Sequence, residues 1–398
     1  MAAYRPGGLP PSMKAQLLDA FNAPYVLRSV PLPAITSPYD ILIKVDAASY
    51  CHTDAVLAAG KMLPNPLSLP HVGCHEFAGT VVGLPPTIAP GSESESSFPF
   101  RVGDRVGVPG RSFHPCGKCS ECASGPTDED PSADPPGYSV YCPHALNHGI
   151  SIDGGFREYA VVDVRQVARI PDSLSAVETA VLMCAGITIY GALKRCFSNN
   201  LPTSSSSGSS SQRRVGIIGC GGGLGHLGLQ FATKMGYKVV GVDNADAPLE
   251  LSRDLDTGAW IVDSRDTDAD DVVAKIGEED GKTEKGDMGL DAVIILPESQ
   301  KAFEYGVRLL RDRGRCVVVS FPEQGFHVSA RDLVFRDIRV VGSLVGSNTL
   351  LKEMLDFAAT HGVRAVVKTF SLARLNELVE EYHKGHGGKL VIDMALPD

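Results

Sequence analysis

A chain of 398 residues exceeds what one hydrophobic core ordinarily holds, which argues for two domains. Hydrophobic residues at 43% and charged residues at 21% give a soluble globular profile, and a formal net charge of -10 without a basic stripe argues against a nucleic-acid partner. No apolar run reads as long enough to span a bilayer, and MAAYRPGGLPPSMK lacks the apolar segment of a secretory leader, so no membrane partner and a cytoplasmic setting are expected. In that setting ten cysteines point to metal binding or chemistry rather than disulfides.

Residues 24 to 170 are rich in Val, Gly and Pro. ILIKVDAASY, FAGTVVG, DRVGVPG and FREYAVVD alternate and end in Gly or Asp turns, the pattern of a compact β-domain or partly open barrel. Past Pro171, SLSAVETAVLMCAGITIYGALKR predicts one long helix. The apolar runs RVGIIG, KVVGVD, WIVD, DAVIIL, RCVVVS and IRVVGSL then alternate with helical stretches such as HLGLQFATKMG and KAFEYGVRLLRDRG, which predicts a doubly wound parallel sheet. The tail from TLLKEMLDFAATHG to KLVIDMA adds helices and a strand able to return to the first domain. Three polar segments, 87 to 98, 127 to 138 and 199 to 212, have too little apolar surface to order themselves and read as mobile surface loops.

HPCGKCSECASG spaces Cys116, Cys119 and Cys122 by two residues, and Cys142 follows beyond the acidic segment. Thiolates at that spacing converge on one tetrahedral ion; Zn²⁺ favours four of them in a closed site, which leaves no open position and so a structural role. Cys51, His75 and Cys184 lie far apart in the chain. A catalytic zinc needs about three protein ligands and an open position, and a Cys₂His set supplies them. Each of the three also has an ordinary reading as a core residue, and spacing does not decide between the two.

RRVGIIGCGGGLGHLGLQFATKMGYKVVGVD reads strand, Gly-rich turn, helix, strand, acid. Gly219, Gly221, Gly222, Gly223, Gly225 and Gly228 allow a backbone to approach a pyrophosphate at a helix N-terminus. Counted from Gly219 the turn is one residue longer than G-x-G-x-x-G, and the literal match from Gly223 to Gly228 starts late. Asp243 ends the second strand, where a carboxylate accepts from a ribose 2′-hydroxyl and repels a 2′-phosphate, so NAD is expected over NADP.

Taken in order, CHTD, VGCHEFAGTVVG, CGKCSEC, YCPH, DGGFREYAVVD, CAGITIYGALK, GGGLG, VVGVD and GSLVG resemble the medium-chain dehydrogenase/reductase family, and more narrowly its yeast-type zinc alcohol dehydrogenases. The resemblance implies an α/β architecture: a GroES-like β-barrel catalytic domain with a structural zinc lobe (1–175), a Rossmann NAD-binding domain with a doubly wound parallel sheet (176–345), and a C-terminal segment returning to the catalytic domain (346–398). It implies two zinc ions, one catalytic on Cys51, His75 and Cys184 and one structural on Cys116, Cys119, Cys122 and Cys142. Glu76 matches a carboxylate able to touch the metal, Asp54 the acid that orients the zinc-binding His, and Thr53 the hydroxyl that takes the alcohol proton. For NAD(H) it implies His52 and Lys389 near the pyrophosphate, with Thr188, Leu224 and the glycines lining the cofactor. The partners implied are a small alcohol or aldehyde and further copies of the chain, as a dimer or tetramer, with IRVVGSLVG as an edge strand for pairing.

Departures from the pattern narrow the expectation. Val56 stands where many relatives carry a relay His, so the proton is expected to leave through Thr53, a ribose hydroxyl and His52, or straight to water. Cys74 replaces a Gly beside His75 and reads as a strained spectator thiol rather than the alternative, a competing metal ligand, because the ligand set is already complete. Ala58 and GVPGRSF replace pocket aromatics, and the single Trp, Trp260, is elsewhere, so a substrate bulkier than ethanol is expected. A polyol-type dehydrogenase is the alternative enzyme reading, against which Cys184 argues. A catalytically silent NAD-binding relative is the alternative outside catalysis, with only Val56 and Cys74 in its support.

Overall fold

The computed structural model describes residues 3–62, 68–88, 98–127, 130, 132–197 and 212–397. Most of the segments 87 to 98 and 199 to 212, expected as mobile loops, lies outside the described residues.

Six strands form a parallel sheet in the order Trp260–Asp263, Lys238–Asp243, Arg214–Ile218, Leu290–Ile295, Leu310–Val318, Arg339–Gly342. The first strand in sequence, Arg214–Ile218, sits mid-sheet with successors on either side, so the strand order reverses beside its carboxyl end, the position where open α/β sheets bind ligands. Each of its residues is buried, which is why RVGII reads as a run rather than an alternation. The strand Arg339–Gly342 is an edge, as expected for IRVVGSL.

The second sheet has seven strands in the path Val367–Phe370, Lys389–Asp393, Asp40–Tyr50, Glu76–Gly83, Arg105–Pro109, Ala168–Arg169, with Tyr159–Asp163 also paired to Asp40–Tyr50. The tail strand Lys389–Asp393 runs antiparallel to Asp40–Tyr50, with Leu390 opposite Tyr50. That pairing brings Lys389 to the end of the strand that leads into Cys51.

One core joins the two sheets. It contains Ala47 and Ala78 from the seven-stranded sheet, Val215 and Ile217 from the parallel sheet, and the apolar face of 176–196 between them. The segment Ala176–Cys196 is helical over 21 residues and apolar enough to cross a membrane by length, which corrects the expectation that no such run exists. Its apolar window is 78% buried inside the protein, so it is spent on the core.

Three further corrections concern local structure. The predicted single helix is α-helical over Ala176–Val181 and Ile187–Cys196, but Leu182–Gly186 forms a π-turn between them. The helix predicted over KAFEYGVRLLRDRG stops at Leu309, and Leu310–Val318 is a strand: Cys316, Val317 and Val318 pair with the sheet, and parallel-sheet burial overrides the helical preference of LRDR. The acidic segment 127 to 138 is anchored where it is described. Asp134 is 7% exposed and accepts the N–H groups of Asn348 and Thr349, each at 3.0 Å, while Ser347 Oγ accepts from Leu350 N. Three orphan donors at the start of the helix Asn348–His361 are thereby satisfied. Composition hid this, because an acid that caps a helix from a distant segment looks the same as one in a solvated loop.

Candidate active site

Cys51 follows the strand Asp40–Tyr50 and caps the short helix His52–Ala58 with extended backbone angles. His75 precedes the strand Glu76–Gly83, paired to the first with Ala48 opposite Phe77. Cys184 comes from the π-turn, where Leu182, Met183, Ala185 and Gly186 are buried and Cys184 alone is partly open. A π-turn re-aims one residue without breaking the helix and is frequent at functional sites. The three ligand atoms lie within 4.8 Å of one another. A hydrogen bond from the Cys184 thiol, followed by Lys389 and His75, holds the Cys51 thiol well below its ordinary pKa against the opposing effect of burial. Two sulfurs and an imidazole at this separation fit a tetrahedral zinc with one position left over.

Asp54 fastens the triad. Its Oδ2 accepts from Cys51 N and its Oδ1 from Cys74 N, both at 2.9 Å, and Oδ1 is 3.6 Å from His75 Nδ1. That nitrogen has no hydrogen-bond partner and faces only this carboxylate, so the geometry leaves Nε2 for a metal. Glu76 is fully buried: Oε1 accepts from Ser49 Oγ at 2.9 Å and from Lys389 Nζ, and Oε2 faces Ala185 N at 3.4 Å. Burial raises its carboxyl to about 7, against the pull of Lys389. Burial opposes the charge on Lys389, but Glu76 and Cys51 outweigh it and hold that amine protonated. Lys389 also donates to Tyr50 O at 2.8 Å, and its stem lies against Gly223. The amine expected at a pyrophosphate thus faces Glu76, and the side chain bridges the Gly-rich turn and the triad.

Cys74 has φ +76°, the left-handed region where a Gly is at ease. Its thiol is buried, has its pKa raised first by burial and then by Asp54, and donates to Ser49 O and Glu76 O. It is outside the cysteine–histidine cluster.

Thr53 Oγ1 lies 3.9 Å from Cys51 Sγ. His52 is about half exposed; Nδ1 is 2.8 Å from Tyr382 Oη and Nε2 is 3.5 Å from Glu298 Oε1. Sequence reading missed both neighbours. Glu298 was findable, because it follows a parallel strand at its carboxyl end; Tyr382 carried no signal.

The Gly-rich turn runs from Gly219, at φ +84°, to the helix Gly225–Lys234. Side chains are barred at two positions: a Cβ on Gly221 would strike Pro248 O, and one on Gly225 would strike Gly219 O. Gly222 faces open space, with only Gly219 O within 4 Å of a would-be Cβ. Gly228 lies inside the helix against Ile189 and Ile217, so the literal G-x-G-x-x-G match serves packing rather than the turn. Asp243 Oδ2 accepts from Gly221 N at 3.0 Å, which ties the acid to the turn. Thr188 is 7% exposed and its hydroxyl has no partner. An open turn, an acid beside it and an orphaned hydroxyl four residues after Cys184 fit a dinucleotide.

Cys116, Cys119, Cys122 and Cys142 form a second cluster, with ligand atoms all within 4.8 Å. Backbone N–H groups of Cys119, Cys122 and Cys116 point at the sulfurs of Cys116, Cys119 and Cys142 at 3.3–3.4 Å. Such donors favour thiolates.

The chain matches two domain families: the alcohol dehydrogenase GroES-like domain over residues 37–172 and the zinc-binding dehydrogenase domain over 223–360. An alcohol dehydrogenase of Geobacillus stearothermophilus is 34% identical over 96% of this chain and 99% of its own length. Alcohol dehydrogenase 1 of Neurospora crassa is 32% identical over 97% and 98%. The alcohol dehydrogenase of the archaeon Aeropyrum pernix superposes with a TM-score of 0.75 at 28% identity, covering 96% of this chain and 99% of that one. With that extent of similarity and both domain families in order, the chain belongs to the zinc-binding alcohol dehydrogenase family.

Proposed function

We propose that the protein is an NAD-dependent alcohol dehydrogenase or aldehyde reductase, with catalytic zinc on Cys51, His75 and Cys184 and structural zinc on Cys116, Cys119, Cys122 and Cys142. The observation that carries the reading is the convergence of Cys51, His75 and Cys184, with Lys389 reaching from Gly223 of the turn to Glu76 beside the triad. When bound, the zinc would supply Lewis acidity at the alcohol oxygen and the nicotinamide would supply the hydride acceptor or donor. The chain's own residues do the rest. Asp54 fixes the tautomer of His75. Lys389, Ser49 and the Ala185 N–H hold Glu76 in place beside the triad. Thr53 takes the alcohol proton at Oγ1. Val56 cannot carry it further; His52, bonded to Tyr382 and half open to solvent, offers the exit. Asp243 and Thr188 select and orient NAD(H).

The test is elemental analysis beside NADH formation at 340 nm. About two zinc ions per chain and turnover on an alcohol series support the reading. No NADH formation with any alcohol, and no NADH consumption with any aldehyde, would overturn it. Ala58 and the stretch GVPGRSF, which lack aromatic side chains apart from Phe113, support a substrate bulkier than ethanol, and best efficiency on ethanol would sink that part.

The same reading includes a homo-oligomer, a dimer or tetramer, joined through the edge strand Arg339–Gly342. The neighbouring helix Ala330–Phe335 buries none of its residues and leaves Val334 73% and Phe335 77% exposed. Large apolar side chains beside an unpaired edge mark an association surface. Sedimentation velocity should give a species of at least twice 42.2 kDa, reduced to monomer in a Val334→Glu/Phe335→Glu double variant; a monomeric wild type refutes it. Two sets of reduced thiolates fit a reducing compartment such as the cytosol.

A further inference from the structure

Arg111 has no role in the site as described so far. It follows Gly110, where any Cβ would overlap His75, and it is only 7% exposed. Nη2 donates to Gly346 O, but Nε and Nη1 meet no acceptor. Gly346 in turn packs on Ile187, since a Cβ there would lie 2.8 Å from Ile187 Cδ1. The guanidinium therefore sits beside the helical turn that carries Cys184 and Thr188. Burial disfavours its cation, and Tyr138, Asp134 and Cys184 are among the groups close enough to oppose that effect. Asp134 accepts from Asn348 N and Thr349 N and makes no hydrogen bond to the guanidinium. The backbone just after Arg111 is strained: Ser112 has φ 55° and His114 φ 52°, left-handed for residues other than Gly. A strained segment that delivers a buried cation next to reactive groups is the kind of feature retained for function.

A guanidinium stays charged, and a buried charge with unfilled donors is costly unless an anion or a set of acceptors completes it. We propose that Arg111 is a specificity-determining residue that selects alcohols and aldehydes carrying a carboxylate a few carbons from the reacting oxygen. The other buried cation at the triad, Lys389, is committed to Glu76. A guanidinium with Nε and Nη1 unfilled suits a monoanionic carboxylate better than a phosphate, which calls for more donors. This inference rests on the dehydrogenase reading and deepens it by naming the substrate class.

The test pairs each oxo-acid of three to five carbons with the neutral aldehyde of equal length, for example 4-oxobutanoate with butanal, both reduced by NADH in the zinc-loaded enzyme. Wild type should favour the oxo-acid in kcat/KM by about tenfold or more, chiefly through KM, the size of one charge-assisted hydrogen bond. Arg111→Met should collapse that ratio towards one, and Arg111→Lys should restore part of it. A wild-type ratio at or below one at every length overturns the proposal. So does an Arg111→Met variant that loses efficiency equally on both members of a pair, because a mere pin on Gly346 acts that way. Should the variants fail to fold, wild type alone decides: butanoate should inhibit butanal reduction competitively at about a tenth of the concentration of butanamide or less, and equal inhibition overturns the proposal. Absence of turnover on both aldehydes is a different result, which defeats the dehydrogenase reading itself.

Discussion

Asp54→Ala is expected to strip the metal triad and to lower kcat/KM on any alcohol by about a hundredfold. The carboxylate accepts from the backbone on both sides of the site, at Cys51 and at Cys74, and faces His75 Nδ1. Its removal leaves two N–H groups buried without partners, at about 1–3 kcal/mol each, and frees the imidazole to rotate. Zinc per chain should therefore fall towards the four-cysteine site alone, with a lower melting temperature. Asp54→Asn separates the two effects. It keeps one acceptor and the shape of the side chain but loses the charge facing His75, so it should fold better and still bind the catalytic metal weakly. Full zinc content and near wild-type turnover in either variant would remove Asp54 from the site.

The second large effect is a loss of stability in mild acid that runs through His226. This residue lies in the first turn of the helix behind the Gly-rich turn; Nδ1 is 3.0 Å from Gly222 O and Nε2 accepts from Val366 N at 3.2 Å. The ring thus joins the Gly-rich turn to the tail. A second proton would destroy the acceptor and set two N–H groups face to face. Burial, with Lys389 nearby, lowers its pKa to about 4 despite the favourable bond to Gly222. The unfolded chain titrates near 6.5, so between roughly pH 6.5 and 4 the unfolded state binds the extra proton and stability falls as pH drops. The loss amounts to about 3 kcal/mol over that window. His148, lowered by burial to about 3, adds a second proton with the same sign. Urea midpoints measured from pH 7.5 to 4.5 should show the decline, and His226→Asn, though less stable throughout, should have a shallower slope by about one proton. Parallel slopes for the variant and wild type would rule out the mechanism.

Much of this architecture is readable from local pattern. Runs such as RVGII and KVVGVD became parallel strands because burial on both faces demands continuous apolar residues. The four cysteines came together as their spacing suggests, with Cys142 included despite the long segment before it. Cys51, His75 and Cys184 were identifiable only through the motifs around them, since nothing in their spacing predicts that their ligand atoms converge.

Elsewhere, local reading met its physical limits. LRDRG has a helical preference that pairing in the sheet overrides. The π-turn at Leu182–Gly186 leaves no trace in hydrophobic periodicity, because its residues would be apolar in either geometry. Asp134 looked like part of a solvated acidic stretch until a helix N-terminus more than two hundred residues away supplied its donors.

The sequence by itself determined most strands of the parallel sheet, the four-cysteine cluster and the Gly-rich turn, because side-chain period, thiol spacing and glycine placement are local properties. Only the tertiary structure decided how the charges are paired. It set Lys389 on Glu76, Tyr382 on His52 and His226 between Gly222 and Val366, and it left Arg111 buried with unfilled donors beside Cys184. A charge's partner and its burial depend on which distant segments meet in space, and that information is not present in any one stretch of the chain.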